Sequence, residues 1–342
     1  MKGFLKPESI AIIGASNDVT KIGGMLVFNL KNAGFDQSKL YPINPKADEI
    51  QGIKAYKSVL DVGKPIDLAV ISIKSTFVIP EMDNLKKAGI GYAIILTAGF
   101  KEDSPEGAEL ERQLVAKSKE YGIRILGPNC FGNMDPKNKV NVTFAKAMPK
   151  AGNLSIFSQS GAVGSSMLDW AVDTGVGIAK FITFGNKCDV DEADLFPALA
   201  EDPDTKVIGM YCEGISNGRH FVDAISGIKK KKPIVIFKAG STAAGGAAAS
   251  SHTGSLAGSD AVNSVVFRKL NICNNFRGVH GSLSQRLRRK RRICIFLRTD
   301  GQSYQCRHNK SQQLCEALFH NTLSPFPSNI KYFGRSVYRK YC

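Results

Sequence analysis

The feature that most constrains this chain is a unit used again and again: a short apolar run, a turn of small residues, then a segment with helical spacing. The apolar runs at 9–13, 40–44, 67–73, 92–96 and 124–126 are too short for helices and do not alternate polar with apolar. Such runs suit strands buried on both faces. The segments between them, among them 79–88 and 107–121, have the length and spacing of helices. Strands that alternate with helices pair in parallel, and right-handed crossovers bring every carboxyl end to the same edge. The expectation is an α/β fold built on a doubly wound parallel sheet.

That edge would gather Gly14-Ala15-Ser16 after the first strand, Lys46 after the second, Ser72-Ile73-Lys74 after the third and Thr97-Ala98-Gly99 after the fourth. The first turn leads to a helix expected to begin at Gly23 or Gly24, whose free N–H groups and dipole favour an anion. The spacing is neither G-x-G-x-x-G nor the P-loop pattern, so the turn alone does not choose a ligand. Lys46 and Lys74 read either as phosphate partners or as solvated lysines. An NAD site would call for an acid at the end of the second strand; Asn44-Pro45-Lys46 stands there instead, which favours a phosphorylated ligand.

Gly127-Pro128-Asn129-Cys130-Phe131-Gly132 closes this first unit, and 133–152 reads as a loose linker with two prolines. Cys130 reads as a small buried thiol, with no His in its motif to activate it. A second series follows, with strands at 154–157, 178–184, 206–211 and 233–237. Ser158-Gln159-Ser160-Gly161 turns the first of these into a helix and offers a second anion-binding N-terminus. It is not a hydrolase nucleophile elbow, because position 158 is Ser rather than Gly. An acid-rich loop at 185–194 precedes a helix running to Ala200, and Gly218-Arg219 opens a helix expected to end in a basic last turn at 229–232.

After the strand at 233–237 comes a stretch of almost side-chain-free residues around one imidazole, His252, and then a helix expected at 260–270. A histidine in a loop is ordinarily a surface residue. Here the small neighbours leave room for a bulky anion, and imidazole readily gains and loses a group near neutral pH. Parallel strands put Ser160, Glu213 and His252 at one edge. A carboxylate bonded to one ring nitrogen orients the ring and leaves the other nitrogen free to attack. With the N–H donors at Gly161 as a cradle, the set suggests phosphoryl relay.

Composition matters mainly for where it changes. Net charge over 342 residues is +16, but residues 268–342 hold 16 Lys and Arg against 2 acids, leaving 30 against 28 before them. Five of the 8 cysteines also fall in this tail. Arg286-Leu-Arg-Arg-Lys-Arg-Arg292 reads as a nucleic-acid or targeting patch, or else the whole segment 276–342 is disordered or the product of a frame shift. The body is nearly neutral and Cys-poor, as in a reduced compartment. It contains no apolar run of about 18 residues and no secretory leader, so a cytoplasmic protein without membrane or nucleic-acid partners is expected.

Taken together, Ile13-Gly14-Ala15-Ser16, Gly127-Pro128-Asn129-Cys130-Phe131-Gly132, Ser158-Gln159-Ser160-Gly161, Gly185-Asn186-Lys187 and Ser251-His252-Thr253-Gly254-Ser255-Leu256-Ala257-Gly258 resemble the nucleoside-diphosphate-forming acyl-CoA synthetase family. The likeness is greatest to the α subunit or α part of its ADP-forming acetyl-CoA synthetases and is weaker to the succinyl-CoA synthetase α subunit. It covers about residues 5–268.

The resemblance implies a Rossmann-type CoA-binding domain at 1–132, a linker at 133–152, a flavodoxin-like CoA-ligase domain at 153–275, and a basic, Cys-rich tail at 276–342. It implies CoA binding by Gly14, Ala15, Ser16, Lys46, Ser72, Lys74, Thr97, Gly99 and Asn129. His252 matches the transiently phosphorylated histidine, Glu213 the glutamate beside it, and Ser158, Ser160 and Gly161 the phosphate cradle. No protein-held metal is implied; ADP or ATP with Mg²⁺ would sit on an ATP-grasp β subunit or domain, and the substrate would be a small carboxylic acid or its acyl-CoA. The implied reaction is acetyl-CoA + ADP + phosphate = acetate + CoA + ATP. The alternative is a truncated CoA-binding protein without ligase activity of its own.

Overall fold

The computed structural model describes residues 1–240 and 260–274. The loop holding His252 and the tail segment 276–342 lie outside the described residues.

After a short helix α1 (Lys2–Leu5), the chain runs β1 (Ile10–Ile13), α2 (Ile22–Ala33), β2 (Leu40–Ile43), a small hairpin of β3 (Glu49–Ile50) and β4 (Ile53–Lys54), and β5 (Leu68–Ile71). It continues through α3 (Ser75–Lys87), β6 (Tyr92–Ile95), α4 (Pro105–Tyr121) and β7 (Arg124–Leu126). The sheet order is β2-β1-β5-β6-β7, and every pair is parallel. β1, β2 and β5 are buried along their whole length, which is why they read as unbroken apolar runs. The chain leaves β1 on one side for β2 and returns across it to β5. A crevice therefore opens between the carboxyl ends of β1 and β5, where ligands sit in such sheets.

The second half runs β8 (Gly132–Asp135), β9 (Val140–Thr143), β10 (Ala151–Ser158), α5 (Gly161–Thr174), β11 (Ile178–Thr183), α6 (Glu192–Glu201) and β12 (Val207–Cys212). Then come α7 (Gly218–Ser226), β13 (Ile234–Lys238), α8 (Asp260–Lys269) and β14 (Cys273–Asn274). The sheet order is β14-β13-β12-β10-β11-β8-β9. β13, β12, β10 and β11 are parallel neighbours. The order again reverses at β10, so the second crevice lies between the ends of β10 and β12. An edge-to-face series of rings, Phe157 with Phe196, Phe196 with Phe221 and Phe221 with Phe267, binds α6, α7 and α8 to this sheet.

Two expectations differ from the structure. Residues 133–152 are not simply a loose linker: most of the hairpin β8–β9 lies there, and β8 pairs antiparallel with β11. The hairpin forms one end of the second sheet and packs against α2. Asn29 of α2 donates to the carbonyls of Thr143 (2.8 Å) and Ala145 (3.0 Å), and Asn133 donates to the Phe4 carbonyl at 2.6 Å. Its strands are buried with asparagines inside, which hides them from a reading based on apolar runs.

The second difference concerns α7, which ends at Ser226 rather than at 229–232. The lysines expected in its last turn fold back from outside it. Lys231 donates to the Ile225 carbonyl at 3.3 Å, while Lys232 donates to the carbonyls of Leu199 (2.9 Å) and Asp202 (2.5 Å) at the end of α6. Cations on exposed helix carbonyls give the same electrostatic result by a different route.

Candidate functional site

At the first crevice, the N–H groups of Gly14 and Ala15 both donate to the Ile43 carbonyl, at 3.1 and 3.2 Å. Gly14 has φ +89, and a Cβ there would stand 2.9 Å from Ile73. Helix α2 begins at Ile22, one or two residues earlier than expected, and no side chain caps its first turn. Because the Gly14 and Ala15 N–H groups are spent on Ile43, the uncapped end of α2 beside the turn at Gly14-Ala15-Ser16 is the part of this edge suited to phosphate. Ser16 accepts from the Asp18 N–H at 3.0 Å, and Gln51 braces the turn by donating to the Ser16 carbonyl at 3.1 Å and the Gly24 carbonyl at 2.8 Å. Lys46 and Lys74 are exposed at the same edge, after β2 and at the start of α3.

Other predicted residues here are engaged within the protein. Ser72 donates to the Ile13 carbonyl at 3.1 Å and Thr97 to the Ile73 carbonyl at 2.7 Å. The Gly99 N–H donates to Glu102 at 2.8 Å, and the Asn129 N–H to the Thr97 carbonyl at 2.9 Å. These four lace the strand ends together and shape the edge.

At the second crevice, Ser160 is the N-cap of α5 and accepts from the Val163 N–H at 3.3 Å. Ser158 is fully buried; it donates to the Ser160 carbonyl at 2.7 Å and accepts from the Ser160 N–H at 3.2 Å. Ser158 thus forms the turn from beneath, while Ser160 and Gly161 occupy its open side. Ser158 lies opposite Tyr211 in the sheet register, which brings Glu213 next to Gln159.

Sequence reasoning passed over Gln159, and its side chain turns out to join the two strand ends. Its Oε1 accepts from the N–H of Glu213 at 2.5 Å and of Gly214 at 2.9 Å, and its Nε2 donates to the Gly214 carbonyl at 2.8 Å. Lys187 Nζ also donates to the Gly214 carbonyl at 3.3 Å and pairs with Glu192 at 3.0 Å. Lys238 Nζ donates to the Glu213 carbonyl at 2.7 Å. Glu192 and Lys238 are buried, each in an ordinary-looking helix or strand end. Burial pushes the Tyr211 hydroxyl up to about 12, and the nearby Glu213 charge adds to the effect.

The edges of the two sheets meet at one seam. A Cβ on Gly185 would stand 2.1 Å from the Pro128 carbonyl oxygen, so only glycine fits there. Asn186 N–H donates to that same oxygen at 2.8 Å, and its side chain donates to Glu111 at 2.7 Å. Lys101 pairs with Glu111 at 2.7 Å, and Arg124 pairs with Asp189 and Asp194 at 2.9 Å each.

Cys130 is buried, and burial pushes its thiol up to about 12; this fits a packing residue rather than a nucleophile. Among the described residues, no group of three or more His, Cys, Asp or Glu is arranged to hold a metal. No described helix is long and apolar enough to cross a membrane.

Comparison with known proteins matches residues 8–136 to a CoA binding domain and residues 151–275 to a succinyl-CoA ligase like flavodoxin domain. An ADP-forming acetate–CoA ligase of Methanocaldococcus jannaschii is 46% identical over 272 residues, 80% of this chain and 38% of that protein. The α subunit of the ADP-forming acetate–CoA ligase II of Pyrococcus furiosus is 38% identical over 303 residues, 87% of this chain and 66% of the subunit. Among solved structures, acetyl-coenzyme A synthetase 1 of Ca. Korarchaeum cryptofilum, in complex with phosphate and ADP, superposes with a TM-score of 0.75 at 41% identity. That match covers 81% of this chain and 60% of the other. The chain therefore spans less than two thirds of these relatives' length. With both domains matched in order and the same two-sheet architecture, the chain belongs to the nucleoside-diphosphate-forming acyl-CoA synthetase family.

Proposed function

We propose that this chain is the acyl-CoA-handling, α-type portion of an ADP-forming acyl-CoA synthetase. The observation that carries the reading is the second crevice, where the cap of α5 at Ser160 and the backbone of Glu213 are held together by Gln159. In this reading CoA lies at the first crevice, its phosphates on the Gly14-Ala15-Ser16 turn and the start of α2, with Lys46 and Lys74 supplying charge. Phosphate lies on the N–H groups at Gly161 and attacks the thioester carbonyl; the C–S bond breaks, and CoA leaves as its thiol. The acyl phosphate then gives its phosphoryl group to His252: the P–O bond breaks, a P–N bond forms, and the carboxylate leaves. Glu213 orients the imidazole and balances its positive charge.

Delivery to ADP, with its Mg²⁺, falls to an ATP-grasp partner subunit or domain. The α-subunit relatives support a partnered enzyme, and acetate, named in several of them, is the first substrate to try. The test is mass spectrometry of the chain after incubation with acetyl-CoA and inorganic phosphate. A phosphate on His252, lost in His252→Asn with CoA binding retained, is the expected result. CoA binding without any phosphohistidine would leave only a CoA-binding protein.

A further inference from the structure

We propose that Gln159 is a positioning residue for the phosphoryl relay, fixing Glu213 relative to the phosphate turn with the help of Lys187 and Lys238. The inference rests on the reading that Glu213 orients His252, and extends it to the side chains that hold the Glu213 backbone. All four backbone polar atoms of Glu213 and Gly214 are bonded by side chains. The two N–H groups meet Gln159 Oε1, the Gly214 carbonyl meets Gln159 Nε2 and Lys187 Nζ, and the Glu213 carbonyl meets Lys238 Nζ. The three side chains come from the ends of β10, β11 and β13, on either side of the strand that carries Glu213.

Loops that follow strands ordinarily satisfy their backbone with water or with one another. Here the task falls to a buried, partly ionic network in which Lys187 is balanced by Glu192, whose side chain is 2% exposed. Taking such charges out of water is costly, and the cost is understandable where a geometry must be held to a fraction of an ångström. The placement of Gln159 gives it a specific use. It stands between Ser158 and the α5 cap Ser160, so consecutive residues hold the Glu213 backbone and form the phosphate turn. The spacing between the Glu213 backbone and the anion cradle is thereby set through one peptide bond. The proposed relay needs that spacing constant.

The amide's two functions are both required. Its oxygen accepts twice and its nitrogen donates, so a methionine of similar length supplies neither. A glutamate supplies both only while protonated; once ionised it loses the donor and stands beside the Glu192 carboxylate, to which Gln159 Nε2 now reaches at 3.5 Å.

The experiment uses the full chain with acetyl phosphate labelled in its phosphoryl group. The initial rate of labelling of His252 is read across pH 5.5–8.5, and CoA affinity by calorimetry serves as the control for folding. Gln159→Met is expected to lower the rate by about 10- to 100-fold, the scale of a misplacement near 1 Å, with CoA affinity unchanged. Gln159→Glu is expected to regain rate as the pH falls and its carboxyl takes up a proton, a dependence that a merely structural residue would not produce. If Gln159→Met loses CoA binding, the acid-side recovery of Gln159→Glu decides the matter. A parent that is labelled, alongside variants with its rate and its pH profile, overturns the positioning role and spares the relay. A parent that takes no label overturns the relay, and the positioning role with it.

Discussion

A Cβ placed on Gly23 would stand 2.0 Å from the carbonyl oxygen of Gly14, so the first turn of α2 lies directly on the turn that ends β1. The obstruction is backbone on both sides and cannot swing away. Gly23→Ala is expected to cost about 1–3 kcal/mol, as overpacking commonly does. It should also weaken CoA binding by pushing α2 off the cradle. Urea denaturation and calorimetric titration with CoA check the two effects; an alanine variant with the parent's stability and affinity would contradict this account of the turn.

A second prediction concerns the other end of the second sheet. Lys180 is 3% exposed and pairs with Asp135 at 2.8 Å, with Asp202 and Asp204 at 3.9 and 4.0 Å. Lys180→Met leaves buried acids without their cation and is expected to cost about 3–5 kcal/mol in urea unfolding. Adding Asp135→Asn, which can keep the contact with Asn138, should recover about half of the loss. Strict additivity of the two changes would argue against a coupled pair.

The thiols supply a prediction about pH. Burial raises Cys130 and Cys212 from the ordinary 9.0 to about 12, and for Cys212 the charge of Glu192 adds to burial. The folded state thus holds these protons more tightly than the unfolded chain. Their contribution to stability is whole below about pH 9 and declines as the pH rises from 9.0 toward about 12, because only the unfolded thiols ionise in that window. Chemical denaturation at pH 7, 9 and 10.5 should give falling stability, and Cys130→Ser with Cys212→Ala should flatten the decline. Iodoacetamide at pH 8 should modify neither thiol until the chain is unfolded.

Partner dependence is the fourth prediction. The full chain alone is expected to bind CoA but to form no ATP from acetyl-CoA, ADP and phosphate. Adding the ATP-grasp subunit of a related synthetase should restore ATP formation in a luciferase assay, and robust turnover by the chain alone would refute the division of labour.

The sequence made the parallel strands of both sheets legible because strands buried on both faces leave an unmistakable apolar signature, as at 10–13 and 68–71. It was less informative where burial is achieved with polar side chains. Asn133 and Asp135 lie inside the β8–β9 hairpin, and nothing local reveals that Asn133 donates to the Phe4 carbonyl or that Asp135 pairs with Lys180. The placement of Ser160 near Glu213 followed from strand order. The role of Gln159 did not, because it depends on Ser158 standing opposite Tyr211, a register that no single segment encodes. His252, the residue on which the sequence reading turned, lies outside the described residues, and its role is carried by the labelling experiments.

The contact of Gly185 with Pro128 also bears on how such an enzyme can work. With no room for even a methyl group at that junction, and with Arg124 bonded to Asp189, Lys101 to the Asn186 carbonyl and Asn186 to Glu111 across it, the two edges proposed to hold CoA and phosphate are fastened to each other. A clamshell closure between them would have to tear this fastening apart. On the proposed reading, transfer from one edge to the other falls to slender, swinging parts, such as the pantetheine arm of CoA, travelling over a platform that stays still.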